Sequence, residues 1–125
     1  MRLLLDTNAL IWLVMGSDEL SPEARRSIER DVAGVGISAI SLAEIAIKAT
    51  LGKLILARDF MTCVQGLGFA SLPFDASHAG RLLSLPLLHR DPFDRMLVAQ
   101  ALVEGAPLVT RDAALGAYGV DLVLT

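Results

Sequence analysis

Short apolar runs alternate with longer amphipathic stretches along the whole chain, a pattern typical of α/β proteins. Arg2-Leu3-Leu4-Leu5 predicts a buried first strand, and brief apolar runs at 35–37, 70–72, 107–110 and 121–124 predict four more. Because strands and helical stretches follow each other in turn, we expect a central, mainly parallel sheet covered by helices on both faces.

Several helix boundaries are marked by capping residues and prolines. Ser21-Pro22-Glu23 combines a hydroxyl N-cap, a proline at the first helical position and an acid in the first turn, which predicts a helix running to about Asp31. Asp91-Pro92 predicts a second start of this kind, and Gly105 its end. Further helices are expected over 8–14, through 42–49, over 59–67 and from Asp75 to just before residue 86.

The composition favours one compact domain spanning residues 1–125. Hydrophobic residues make up 54% of the 125 residues and charged residues 20%, and no linker or repeat interrupts the chain. The single cysteine, Cys63, excludes an internal disulfide, and its apolar surroundings predict a buried thiol. We find no secretory signal and no apolar run near the ~20 residues that cross a bilayer, so we expect a cytoplasmic protein without a membrane partner.

The net charge of −3 argues mildly against a nucleic-acid partner. Proteins dedicated to nucleic-acid binding are usually basic, because neutralising phosphates supplies much of their affinity. An acidic chain can still process nucleic acid if its acids hold metal cations and its arginines are placed locally.

Four acids stand where a parallel sheet can bring side chains together. Asp6 ends the first predicted strand and Asp112 follows the strand at 107–110, so both lie at carboxyl ends of strands. Asp94 falls in the first turn of a helix, which should help keep it ionised, and Glu44 lies on the polar side of another. Oxygen-only donors select Mg²⁺ or Mn²⁺ over zinc. If the four acids meet, their carboxylates would repel strongly without a bound cation.

Each of these acids also has a purely structural explanation. Asp6 could cap the helix that follows it, and Asp112 could cap a short helix at 113–115. Glu44 stands three residues after a serine and four before a lysine, which fits a capping box or a surface ion pair. Asp94 is favoured at a helix start by the helix dipole alone. Spacing therefore does not show that the four acids meet.

Four segments resemble the motifs of PIN domains, in the order of that family. They are Leu4-Leu5-Asp6-Thr7-Asn8, the stretch 37–45, the stretch 89–101 and Leu108-Val109-Thr110-Arg111-Asp112. The third has the form found among VapC-like toxins of bacterial toxin–antitoxin pairs. The resemblance covers essentially the whole chain and implies a three-layer α/β/α sandwich. It also implies a Mg²⁺-dependent endoribonuclease, with Mn²⁺ as a substitute ion.

The resemblance implies roles for particular residues of this chain. Its acidic quartet, which holds the metal and carries catalysis, would consist of Asp6, Glu44, Asp94 and Asp112. The supporting positions would be Asn8 and Thr110, together with Asp91 as a helix cap or outer-shell ligand.

Basic and aromatic residues near the motifs are candidates for contacts with the substrate. Lys48, Arg95 and Arg111 could bind RNA phosphates, with a solvated charge or an ion pair as the alternative for each. Trp12 is expected to pack against the core or a partner. The two histidines, at 78 and 89, lack a paired ligand at helical spacing, and we expect surface or capping roles for them.

The resemblance finally implies partners. These are an RNA substrate, a VapB-like antitoxin whose C-terminal segment lies across the acidic cleft, and a second copy of the chain in a homodimer. The alternatives are a PIN-fold RNA-processing nuclease outside a toxin pair and a non-catalytic protein-binding module. An aspartate-nucleophile phosphatase is disfavoured, since it would need a second aspartate where Asn8 stands.

Overall fold

A five-stranded parallel sheet forms the centre of the computed structural model, which describes residues 1–125. The strands are β1 (Leu3–Leu5), β2 (Val35–Ser38), β3 (Ala70–Leu72), β4 (Leu108–Thr110) and β5 (Leu122–Leu124). Their order is β3-β2-β1-β4-β5, and every neighbouring pair is parallel. The chain moves outward from β1 in one direction and then returns to β4 on its other side. This reversal opens a crevice at the carboxyl ends of β1 and β4.

Six α-helices and two 3₁₀ segments surround the sheet. The helices are α1 (Thr7–Met15), α2 (Pro22–Glu29), α3 (Ala39–Thr50), α4 (Phe60–Gly66), α5 (Ala76–Ser84) and α6 (Pro92–Glu104); the 3₁₀ segments are Val32–Gly34 and Ala113–Tyr118. The caps predicted at Ser21, Asp75, Asp91 and Gly105 are confirmed. None of the helices combines the length and apolar character that crossing a bilayer requires.

Two apolar cores lie on opposite faces of the sheet, and β1 contributes to both. Leu3 and Leu5 pack with residues of α1, α2 and α4, whereas Leu4 packs with α6 and the second 3₁₀ segment. This division follows from the two-residue period of a strand, which points alternate side chains to opposite faces. All three leucines are buried, so both faces of the sheet are covered. The expected three-layer α/β/α sandwich is thereby confirmed.

The predicted burial of Cys63 is wrong, because its thiol is exposed. Helix α4 buries Phe60 and Val64, which are four residues apart and therefore share one face. Cys63 lies outside that narrow face, although it stands within an apolar stretch of sequence. The thiol is 3.7 Å from the Asp59 carboxylate, and its own partial desolvation, followed by that charge, raises the pKa of Cys63.

Candidate functional site

A polar cleft of about 230 Å³ opens where the strand order reverses, and we call it the acidic cleft. No apolar residue lines it; the lining consists of Asp6, Asn8, Asp94, Thr110, Arg111 and Asp112. Asp6 comes from the end of β1, Asp94 from the first turn of α6, and Asp112 from the segment after β4. Three of the four acids singled out from the sequence therefore share one cleft.

Asp6 caps a helix and faces the cleft at the same time. As the N-cap of α1 it accepts a hydrogen bond on Oδ1 from the Ala9 N–H at 2.8 Å, and the residue is only 7% exposed. Burial raises the pKa of Asp6, while hydrogen bonds from Thr110 and Ala9 partly offset that rise. The charges of Glu44 and Asp112 raise it further. The capping explanation thus holds without excluding a second role for the carboxylate.

Asp94 carries the least compensated carboxylate of the cleft. Its side chain is 26% exposed, and the nearest basic group is His89 Nε2, 3.7 Å from Oδ2. Burial, followed by the charge of Asp91, raises the pKa of Asp94 to about 6. We expected the start of α6 to keep this acid ionised, but burial among other acids outweighs the helix dipole. Such a carboxylate is suited to a bound cation, which would stabilise its charged form.

Asp112 is held through both of its carboxylate oxygens. As the N-cap of the second 3₁₀ segment, it accepts a hydrogen bond on Oδ1 from the Ala114 N–H at 3.0 Å. Its Oδ2 lies 3.1 Å from His89 Nε2. The predicted cap is confirmed, and the carboxylate also reaches the acidic cleft.

The sequence interpretation of His89 needs correction. It was expected to be a surface or capping group, but its ring lies between Asp94 and Asp112. One ligand atom from each of these three residues falls within 4.8 Å of the other two. His89 belongs to the loop before α6, so no helical spacing could reveal it. The available signal was its place in the third motif, a few residues ahead of Asp94.

Glu44 lies beside the acidic cleft and outside its lining. Its carboxylate is buried on α3, where Oε1 accepts a hydrogen bond from Thr7 Oγ1 at 2.6 Å and Oε2 contacts Lys48 Nζ at 2.5 Å. The ion pair expected with Lys48 is therefore present, although Glu44 itself is not on the surface. Its charge raises the pKa of both Asp6 and Asp94, which couples it electrostatically to the cleft.

The capping-box explanation for Glu44 is wrong. Helix α3 begins at Ala39 with Ser38 as its N-cap, and the Ser38 hydroxyl oxygen accepts a hydrogen bond from the Ile40 N–H at 3.0 Å. Ser41 is inside the helix and lies 3.2 Å from the Thr7 hydroxyl. A contact across two helices, rather than a local cap, fixes the Glu44 carboxylate. Thr7 was not singled out from the sequence because this partner is 37 residues away.

Replacing Thr7 with valine is expected to destabilise the fold by about 1–3 kcal/mol, because a buried Glu44 oxygen loses its donor without a change in side-chain shape. Urea unfolding would measure the loss. Thr50→Val is the matched control, since the exposed Thr50 hydroxyl bonds only to the Ile47 carbonyl of its own helix, and we expect a change below about 0.5 kcal/mol. Equal stabilities for the two variants would contradict the buried bond.

The three residues that the sequence suggested as supports for the acids occupy distinct places, and two of them line the acidic cleft. Asn8 is exposed in its lining. Thr110 is buried; its hydroxyl oxygen accepts a hydrogen bond from the Asp112 N–H at 3.1 Å, and its side chain also bonds to Asp6. Asp91 caps α6 by accepting from the Phe93 N–H at 2.9 Å. Thr110 therefore links two acids that come from different strands.

Lys48 and Arg95, two of the predicted phosphate contacts, both have protein partners. Glu44 raises the pKa of Lys48 by accepting its hydrogen bond, and Lys48 remains partly exposed. Arg95 donates to the main-chain carbonyls of Leu85 and Pro86 at 3.5 and 3.3 Å. Lys48 is therefore ion-paired, as the alternative interpretation of this residue expected. Arg95 instead holds the loop that leads to α6 through its main-chain carbonyls.

Arg111 lines the acidic cleft but is also held from outside it. Its guanidinium forms an ion pair with Glu19 and lies 4.3 Å above the centre of the Trp12 ring. Trp12 packs against the core, as expected from the sequence. Trp12 and Glu19 hold the Arg111 guanidinium at one side of the acidic cleft, where it forms no ion pair with the acids of the cleft.

The second histidine, His78, does not line the acidic cleft. His78 is fully buried and forms the capping box of α5 with Asp75. Its Nε2 lies 3.0 Å from Glu104 Oε2, which connects the start of α5 to the end of α6. The capping role expected from the sequence is confirmed, whereas a surface position is excluded.

The chain matches the model of one protein family and shares its fold with several solved structures. The family model of the PIN domain matches residues 3–120. No curated protein sequence matches the chain. DNA-bound VapBC from Salmonella typhimurium has a TM-score of 0.75 at 19% identity, covering 98% of this chain and 97% of that chain.

Two further solved structures show the same fold. VapBC2 from Rickettsia felis, bound to a DNA fragment from its promoter, has a TM-score of 0.71 at 19% identity and covers 100% and 98% of the two chains. FitAcB from Neisseria gonorrhoeae has a TM-score of 0.70 at 20% identity and covers 97% and 96%. At these identities the likeness establishes the fold alone.

Proposed function

The chain belongs to the PIN domain family, and from that membership and the acidic cleft we propose that it is a metal-dependent endoribonuclease. The observation that carries the proposal is the convergence of Asp6, Asp94 and Asp112 in one cleft. These acids come from three separate elements and meet at the switch point of the sheet, where α/β proteins place their sites.

The donor set of the cleft fits a hard divalent cation, and we propose Mg²⁺, with Mn²⁺ as a substitute. Carboxylate oxygens are the preferred ligands of both ions. The raised pKa of Asp94 shows that its charge is poorly compensated by the chain itself, as expected of a residue that completes its environment with a cation. When bound, the ion would supply the Lewis acidity and the activation of water that phosphodiester hydrolysis needs.

The residues of the chain hold these carboxylates in place for that chemistry. Asp6 and Asp112 are each fixed by the N–H groups of the helical segment that they cap. Asp91 fixes the first turn of α6, from which Asp94 projects, by accepting from the Phe93 N–H. The carboxylates are therefore positioned before substrate arrives, which removes a cost of reorganisation from the reaction.

Glu44 would act from the side of the cleft in this proposal. Its two oxygens already have partners in Thr7 and Lys48, so a direct ligand role would require one of these contacts to be shared or exchanged. We propose that it contributes negative charge and, with Asp112, is a candidate for orienting the attacking water. Asp6 and Asp94 are the first choices for direct metal ligands.

We further propose that the protein is the toxin of a type II toxin–antitoxin pair, with RNA as its substrate. The third motif has the VapC-like form, and the solved structures of the same fold include VapBC and FitAcB complexes. A VapB-like antitoxin and a second copy of the chain are the protein partners that this assignment implies. Arg111, which lines the acidic cleft, and Lys48, which pairs with Glu44 beside it, are the cations that we propose for contacts with RNA phosphates.

Freshly purified, antitoxin-free protein is expected to cut a structured RNA in Mg²⁺ or Mn²⁺ and to stop when EDTA is added, because the carboxylates act through a cation. Gel analysis of labelled RNA would show the cuts. Asp6→Asn should abolish them. Asp121→Asn is the matched control, since Asp121 is exposed before β5, at the opposite end of the strands. If neither ion supports cutting by the intact chain, the non-catalytic binding module becomes the better assignment.

A further inference from the structure

His89 is fixed at three points around the acidic cleft. Its main-chain N–H donates to Tyr118 Oη at 2.8 Å, its ring Nδ1 lies 3.2 Å from the Asp91 N, and its ring Nε2 lies 3.1 Å from Asp112 Oδ2. The ring is about one-quarter exposed. Tyr118 is the last residue of the second 3₁₀ segment, and Asp112 is the N-cap of that segment. The main chain of His89 and the Asp112 carboxylate are therefore both held by this segment.

The hydrogen bond from Asp91 determines which ring nitrogen of His89 carries the proton. A main-chain N–H can only donate, so Nδ1 must be the accepting nitrogen. In the neutral ring the proton is then on Nε2, which donates to Asp112 Oδ2. A protonated ring nitrogen has no lone pair for a metal ion. With this proton arrangement, His89 Nε2 orients the Asp112 carboxylate and is not itself available as a metal ligand.

We propose that His89 is a positioning residue of the metal site, holding the Asp112 carboxylate in its orientation before a cation binds. The Nε2–H fixes Oδ2 while the Ala114 N–H fixes Oδ1, so rotation of the carboxylate is restrained at both ends. A carboxylate oxygen has two lone pairs, so each Asp112 oxygen can accept one of these hydrogen bonds and still bind a cation. This inference rests on the proposed function, because it assumes that Asp112 serves a divalent ion. Partners of this kind commonly tune affinity at metal sites.

Two variants of His89 separate the donor role from a general structural role. Glutamine can place an amide N–H near the position of Nε2 and so keep the donor to Asp112, whereas alanine removes it. Both variants keep the main-chain bond to Tyr118, which does not involve the side chain. Both lose the Nδ1 acceptor for the Asp91 N–H, so that loss is matched between them.

Titration calorimetry with Mn²⁺ on the metal-free protein tests the proposal. We expect His89→Ala to weaken Mn²⁺ binding by about 10–100-fold and His89→Gln to stay within about threefold of the wild type. Electron spin echo spectroscopy of Mn²⁺ bound to the wild type should show no directly coordinated imidazole nitrogen. Thermal unfolding without metal would confirm that both variants are folded.

The outcomes discriminate between this proposal and the function on which it rests. Unchanged Mn²⁺ affinity in His89→Ala, equal losses in the two variants, or a coordinated nitrogen in the wild type would overturn the positioning role alone. Absence of Mn²⁺ binding by the wild-type protein would overturn the proposed metal site and this inference with it.

Discussion

Replacing Asp94 with asparagine is expected to lower RNA cleavage by at least about 100-fold, because asparagine keeps the shape of the side chain but removes its charge toward the cation. Asp94 is the carboxylate of the acidic cleft with the weakest support from the rest of the chain. Initial rates on a labelled RNA in saturating Mg²⁺ would measure the loss. Asp121→Asn should retain the wild-type rate, and full activity in Asp94→Asn would remove this acid from the site.

The same substitution is expected to stabilise the metal-free protein by about 1–3 kcal/mol near pH 7.5, since a carboxyl whose pKa rises from 3.8 to about 6 destabilises the fold when it is ionised. A raised pKa means that folding favours the protonated form. The destabilisation is therefore absent below about pH 4 and complete above about pH 7, so wild type and variant should converge as pH falls.

Urea unfolding in EDTA at several pH values would measure this difference. A variant less stable than wild type at neutral pH would show that Asp94 serves the fold as a helix-start acid and not a cation site. In a second series without EDTA, added Mn²⁺ should stabilise the wild type and leave Asp94→Asn nearly unchanged, because only the wild type binds the ion tightly. We expect Asp94→Asn to raise the free energy of unfolding and Thr7→Val to lower it. This difference in sign would distinguish a carboxylate that serves the metal site from a hydrogen bond that stabilises the fold.

The parts of the fold that depend on local chemistry could be predicted from the sequence. Ser21 and Asp91 were identified as caps because each is followed directly by a proline and then by a helical pattern. Asp6 directly follows the apolar run of β1, and Asp112 follows the run at 107–110 after one intervening arginine, so both acids could be placed after strand ends. Parallel strands bring their carboxyl ends to one edge of the sheet, so meeting of these two acids was a reasonable expectation.

The contacts that complete the site depend on pairs distant in sequence. Arg111 and its partner Glu19 are 92 residues apart, and Asp112 and His89 are 23 apart. No periodicity encodes such pairs, because they arise only when the sheet places separate loops together. Cys63 was misjudged for a related reason: the width of the buried face of α4 depends on what packs against it.

For Glu44, the capping-box explanation is wrong, yet its charge still acts on the acids of the cleft. Its spacing suggested a capping box or a surface pair, yet its carboxylate is buried between α1 and α3 and influences the pKa of Asp6 and Asp94. The spacing to Lys48 was informative, since that pair forms. The burial was not predictable from the helix pattern, because it depends on Thr7 from a different helix.

We propose that Asp6, Asp94 and Asp112 form one site for a divalent cation. Crystals of the metal-free protein soaked in Mn²⁺, with anomalous diffraction measured at the manganese edge, would locate the ion. We expect an anomalous peak inside the acidic cleft, in contact with these carboxylates, and no such peak in crystals of Asp94→Asn. An empty cleft in the soaked wild-type crystals, or a peak that persists unchanged in the variant, would contradict it.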